Sequence, residues 1–181
     1  MIDVTGCILV DARSAGPRLP RQLAIVAPLV RADAFSLRVV DDTGDPRLPR
    51  IVERYGARLL NVSPAPLGKR LNDAITRISG EVLIFPDIGN TTSAEALSRL
   101  AVEVAAGAFD VALLAPLQLG SLQRLLARIR RRPRARSEGL CLSRAWFERI
   151  GGCDPALDAD ALGELLERLS ACGARLKPVE P

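Results

Sequence analysis

The sequence predicts an α/β fold built on a mostly parallel sheet with helices on both faces. Short apolar runs alternate with amphipathic stretches along the chain, the pattern of repeated β-α units. The run Glu81-Val82-Leu83-Ile84-Phe85 is almost continuously apolar, as suits a strand covered on both faces. Two such runs end on acid, at Asp41-Asp42 and at Asp87. Open α/β sheets gather ligands just beyond the carboxyl ends of their strands, so these carboxylates mark a candidate site.

The elements follow in order. Residues 7–10 read as the first strand and residues 20–30 as a helix, with Pro20 in its first turn. Residues 37–40 form the second strand, and Thr43-Gly44-Asp45-Pro46 a turn. A helix over 47–55 stops at Gly56, and residues 58–61 give a third strand. Leu71, Ala74, Ile75 and Ile78 recur at helical spacing within 67–78. After the strand at 81–85, Thr92 or Ser93 caps a helix that reaches about 106. Then come a strand over 109–114, an amphipathic helix over 119–131 and a loop to Ser137. A late strand at 139–143, a short helix at 144–150, a last helix at 159–171 and a closing strand at 175–179 complete the chain.

Composition narrows the function. The 181 residues suffice for one domain with its own core, and 48% of them are apolar. Aromatics make up 3%, which argues against stacking-based nucleic-acid binding and leaves Trp146 and Phe147 as core anchors. There is no histidine, and Cys7, Cys141, Cys153 and Cys172 are scattered, so neither zinc nor a His-based triad is expected. The thiols read as buried and reduced, which points to a cytoplasmic location. No basic stretch leads into a long apolar run at the N-terminus, and no run approaches the roughly 20 apolar residues that span a bilayer.

Charge is concentrated. Seven arginines and no acid lie between Arg124 and Arg136, and without them the formal charge falls from +4 to −3. Such a patch suits a local anionic partner and a peripheral position at the inner membrane face, but like-charge runs are more often a solvated helix face with a mobile loop.

Several segments resemble the family-2 nucleotide-sugar glycosyltransferases of GT-A fold. Val39-Val40-Asp41-Asp42-Thr43-Gly44 is similar to that family's V-D-D-G-S segment, and Gly68-Lys69-Arg70-Leu71-Asn72-Asp73-Ala74 to its G-K-x-x-A-x-N-x-G segment. Residues 79–87 resemble the strand that carries the Asp-x-Asp motif. Arg144-Ala145-Trp146-Phe147, continuing to Gly151-Gly152-Cys153-Asp154, resembles the acceptor-side stretch R-x-x-F-x-x-x-G-G-F-D. Two departures stand out. Val10-Asp11-Ala12-Arg13-Ser14 replaces the family's Pro-x-x-Asn-Glu, and Gly89 replaces the second carboxylate of the metal motif.

The resemblance implies a single GT-A-like domain over 1–181, with a nucleotide-binding half (1–118) and a basic, acceptor-side half (119–181). It implies transfer from a nucleotide-diphospho-sugar with inversion. Asp160, or Asp158, would be the base; each also fits as a helix cap. Asp11, Asp41, Asp42, Lys69, Arg70 and Asp87 would contact the nucleotide. Asp41 and Asp42 also suit a turn, although a strand-end carboxylate pair sits where ligands collect, and Lys69 and Arg70 suit an exposed first helical turn. Asp87 would be the sole carboxylate for Mg²⁺ or Mn²⁺. Arg131 and Arg132 would grip a diphosphate or an anionic, phospholipid-linked acceptor. The alternative is a degenerate relative that binds a nucleotide or protein without transfer. A nucleotidyltransferase would need a Gly-rich loop, which Ala12 to Gly16 does not supply.

Overall fold

The structure is a computed structural model that describes residues 6–31, 35–86, 94–114 and 139–177. Its sheet has seven strands: β1 (Gly6–Asp11), β2 (Phe35–Asp41), β3 (Arg58–Asn61), β4 (Val82–Phe85), β5 (Val111–Leu113), β6 (Leu140–Ser143) and β7 (Leu176–Lys177). Their order across the sheet is β3-β2-β1-β4-β6-β5-β7. The β3-β2-β1-β4 block is parallel, β6 runs antiparallel to both β4 and β5, and β7 is parallel to β5.

Seven α-helices are described: α1 (Ala12–Ala15), α2 (Leu19–Arg31), α3 (Leu48–Arg54), α4 (Leu67–Ile75), α5 (Ala94–Ala105), α6 (Arg144–Arg149) and α7 (Ala161–Ala171). They lie on both faces. Strand side chains alternate between faces, so each strand feeds two cores. Ile8, Val10, Val39 and Ile84 pack with Leu23 of α2, Val52 of α3 and Leu97 of α5. Cys7, Leu9, Leu83 and Phe85 pack with Leu71 of α4, Phe147 of α6 and Leu165 of α7. Two-sided covering explains why every residue of β1 and of β4 is buried.

After β1 the chain moves to β2 on one side; after β3 it returns across β1 to β4. The carboxyl ends of β1 and β4 therefore flank a topological switch point, where open sheets leave a crevice.

Most elements lie where the spacing predicts them. The exceptions have local causes. Residues 12–15, to which the spacing assigned no element, form α1, because the Asp11 carboxylate accepts from both the backbone N–H (2.8 Å) and the hydroxyl (2.7 Å) of Ser14. α4 ends at Ile75 rather than 78, where Arg144 gathers the carbonyls that follow. Its guanidinium donates to Gly80 O at 2.7 Å and Ile78 O at 2.9 Å. α7 begins at Ala161 rather than 159. Cys7, Cys141 and Cys153 are buried as expected, but Cys172 is exposed, since it follows the last turn of α7. Thr92, Ser93 and the helix expected over 119–131 lie outside the described residues. No described helix is long and apolar enough to cross a membrane.

Candidate active site

The candidate site centres on Arg70, which is completely buried although charged. It lies on α4 with Leu67, Leu71 and Ala74, along the stripe that faces the sheet. Its Nε donates to Asp11 Oδ1 at 2.9 Å and its Nη2 to Asp11 Oδ2 at 2.8 Å, a two-pronged pair at the end of β1. Nη1 donates to Ala65 O and lies 3.5 Å from Asp42 Oδ2 and 3.8 Å from Asp158 Oδ1. Burial pulls the Arg70 guanidinium down, but the hydrogen bonds and charge of Asp11, with the charges of Asp42 and Asp158, outweigh it and raise its pKa.

Asp42 is enclosed, and neither oxygen has a well-aligned hydrogen bond. Its charge is met by Arg13 Nη2 at 2.6 Å, a close but misaligned approach, and by Arg70. Asp41 turns aside: Oδ1 accepts from the N–H (2.7 Å) and hydroxyl (2.6 Å) of Thr43 and shapes the turn after β2. Lys69 points outward and pairs with Asp73 at 2.9 Å, one helical turn on. The two neighbours in the Lys69-Arg70 pair thus have opposite fates. Only Lys69 occupies the exposed helical position that the sequence allowed for both.

The segment carrying the predicted base is stitched to α4. The Leu67 N–H donates to Asp158 Oδ1 at 3.0 Å and the Gly68 N–H to Leu157 O at 2.9 Å. Asn72 donates to Cys153 O at 2.8 Å and accepts from its N–H at 2.9 Å. Only glycine fits at position 68, since a Cβ there would lie 1.9 Å from Asp154 O. Gly152 turns at φ 76°, and Arg168 holds its carbonyl at 2.6 Å. Residues far apart in the chain, 68–72 and 150–158, thus form one corner. Asp160 caps α7 without a side-chain hydrogen bond and is exposed. Asp87, Arg131 and Arg132 lie outside the described residues.

A cavity of about 300 Å³ opens at the switch point. Asp11, Ser14, Gln22, Phe85, Pro86 and Leu162 contribute to its wall. Arg13, Ser14 and Gln22 were not among the predicted site residues. Gln22 had a signal: it sits in the apolar stripe Leu19, Leu23, Val26, where a polar residue is out of place.

Among the described residues Mg²⁺ or Mn²⁺ finds no nest. Among the described residues no group of three His, Cys, Asp or Glu side chains could hold a metal ion. The carboxylates that do converge, Asp11, Asp42 and Asp158, converge on a guanidinium. The described residues therefore do not fit a divalent ion by themselves.

No protein-family model matches the sequence, and no curated protein matches it. Solved structures do match in shape. A mannosyltransferase from Pyrobaculum calidifontis, solved with GDP-Man and Mn²⁺, superposes at a TM-score of 0.70 with 17% identity, over 98% of this chain and 55% of that one. A glucosyl-3-phosphoglycerate synthase from Mycobacterium tuberculosis, solved with Mn²⁺, UDP and glucosyl-3-phosphoglycerate, also superposes at 0.70 with 17% identity, over 98% of this chain and 70% of that one. The chain thus spans little more than half the length of the first and under three quarters of the second. With its sheet order, its switch point and these superpositions, the chain has the GT-A fold of nucleotide-sugar glycosyltransferases.

Proposed function

We propose that the protein is a glycosyltransferase that moves a sugar from a nucleotide-diphospho-sugar to an acceptor hydroxyl with inversion. One observation carries this reading. Asp11, Asp42, Arg70 and Asp158 converge at the carboxyl edge of a GT-A sheet, beside a cavity at its switch point.

In this reading residues 1–118 serve the donor and 119–181 the acceptor, within one GT-A-like domain. Asp160 removes the proton of the acceptor hydroxyl. The freed oxygen attacks the anomeric carbon, the bond from that carbon to the diphosphate oxygen breaks, and the nucleoside diphosphate leaves. Asp160 is favoured as base because its carboxylate is exposed and spends no hydrogen bond on capping α7. Asp158, already bonded to the Leu67 N–H, positions the loop. Asp11 and Asp42, held by Arg70 and Arg13, present the donor edge. Asp41, Lys69 and Asp87 are candidate nucleotide contacts, with Asp87 the one candidate metal ligand. No step is assigned to a metal. Arg131 and Arg132 would offset the diphosphate charge or hold an anionic acceptor.

Asp160→Asn tests the assignment. Turnover of the matching donor should be lost while donor affinity stays; unchanged turnover rejects Asp160 as base.

A second reading has its own support: a binding protein of GT-A fold without transfer. The strand-end carboxylates are already matched by Arg13 and Arg70, and no described cluster suits a metal. Donor binding without hydrolysis or transfer to any acceptor tried would favour it.

A further inference from the structure

We infer that Arg38 and Arg58 form a site for a phosphate group, carried by a small soluble molecule, on the α4 side of the β2–β3 pair. The site stands apart from the transferase reading. It lies at the β3 edge of the sheet, away from the crevice between β1 and β4.

Arg38 of β2 and Arg58 of β3 are direct partners in the parallel register. Their side chains share a face. Val40 and Leu60, two residues further along each strand, both pack into the core beneath α4 with Leu71 and Ala74, so Arg38 and Arg58 stand on that same side. Like charges set directly opposite one another repel. Arg38 is partly buried and Arg58 exposed. Among the described residues neither has an acidic partner or a side-chain hydrogen bond. Burial raises the pKa of the nearby Cys7 thiol, and the Ser36 hydrogen bond and the charges of Arg38 and Arg144 pull the other way. The Arg38 charge is thus held close over the sheet. Arg77, just beyond α4, donates to Asn61 O at 2.7 Å and adds a third cation at this edge.

An arginine on an edge strand needs no ligand, because edge charges keep sheets from pairing with one another. That explains Arg58. It does not explain Arg38, since β2 lies inside the sheet between β1 and β3.

The count of oxygens chooses the anion. A carboxylate has two, and one guanidinium takes both, as Arg70 does with Asp11. Two guanidinia on neighbouring strands suit an anion that presents more than two oxygens, as phosphate does. An acidic peptide added as a further strand is disfavoured, because Arg77 already occupies the Asn61 carbonyl. A lipid surface is disfavoured too. Among the described residues the one large exposed hydrophobic side chain, Val102, lies on α5, which packs on the opposite face, so nothing here enters a bilayer.

Inorganic phosphate is the probe, titrated by calorimetry at constant pH and ionic strength into the wild type, Arg38→Gln, Arg58→Gln and the double variant. The wild type should bind it saturably. Each single substitution should weaken binding about tenfold or more, as loss of a charge-assisted hydrogen bond does, and the double variant should lose it. Saturating phosphate should raise the melting temperature of the wild type and leave that of the double variant unmoved. Without phosphate, Arg38→Gln should melt no lower than the wild type, since it relieves a repulsion. A lower melting temperature with the phosphate response intact would make Arg38 structural and overturn the inference. Unchanged phosphate affinity in both single variants would place the anion elsewhere and overturn it as well. Acetate at the same concentration should not compete; if it does, the site takes carboxylates and the assignment fails. Cosedimentation with vesicles of phosphatidylglycerol and phosphatidylcholine covers the other source of phosphate. Vesicle binding that depends on Arg38 and Arg58, without affinity for free phosphate, would make this face a membrane contact and overturn the soluble ligand.

Discussion

Arg70 on α4 grips both carboxylate oxygens of Asp11 at the end of β1, at 2.9 and 2.8 Å, with the arginine fully enclosed. This pair joins the helix that carries the second motif to the strand that opens the crevice. Asp42 and Asp158 then lie within 4 Å of the same guanidinium, at 3.5 and 3.8 Å.

Removing that guanidinium leaves Asp11 and Asp42 buried without their shared partner. Arg70→Met should cost about 3–5 kcal/mol of stability, the usual price of breaking a buried pair from one side. Arg70→Lys should recover only part of it, because an ammonium cannot match two oxygens at once. Urea unfolding monitored by circular dichroism checks both. A loss under about 1 kcal/mol for Arg70→Met would show that the pair contributes little.

Gly68→Ala puts a methyl group against Asp154 O, where a Cβ would lie 1.9 Å away. The corner between α4 and residues 150–158 must open. We expect a loss of about 1–3 kcal/mol and reduced turnover, since the loop carrying Asp160 shifts. Asn72→Ala, which removes two hydrogen bonds to Cys153, should move stability the same way. Thermal unfolding alongside a donor-turnover assay reads both effects.

Acid should loosen the far edge of the sheet. Hydrogen bonds from Arg175 hold the Asp110 carboxyl below the usual carboxylate range and tie the approaches to β5 and β7. A folded-state pKa below the unfolded one means that the unfolded chain binds the proton more readily. The stabilisation is therefore complete above about pH 4 and is lost as pH falls through the folded value. Asp110→Asn should destabilise at neutral pH and flatten this acid limb. An unchanged limb in the variant contradicts the assignment.

Thiol reactivity should separate Cys172 from the rest. Burial pushes the Cys141 and Cys153 thiols up to about 12 and raises that of Cys7, so all three stay protonated and shielded at pH 8. A thiol-specific reagent should label Cys172 alone in the folded protein and all four cysteines in denaturant. Rapid labelling of Cys153 in the native state would show that the corner with Asn72 opens readily.

The parallel strands were legible because two-sided burial writes itself as an apolar run, as in Val82-Leu83-Ile84-Phe85. The antiparallel insertion of β6 was not, since an apolar run carries no direction. Arg70 and Gln22 show a subtler signal. Each interrupts an apolar helical stripe, Leu67-Leu71-Ala74 and Leu19-Leu23-Val26, and each is buried in the site. A charge is placed in solvent by default, so Arg70 read as exposed as readily as Lys69. Its place in the stripe, rather than its chemistry, decided its fate. α1 went unread because four residues carry no periodicity, and its existence depends on the Asp11–Ser14 cap.

The central claim is a donor-nucleotide site at the carboxyl edge of β1, β2 and β4, and calorimetric titration with UDP, GDP, CDP and dTDP, with and without Mn²⁺, tests it most directly. The account predicts selective binding of one of them, weakened in Asp42→Asn. Dependence on Mn²⁺ would assign Asp87 to the metal, and indifference would assign the diphosphate charge to arginine. Failure of every one of these nucleotides to bind, to a protein shown to be folded, would contradict the account.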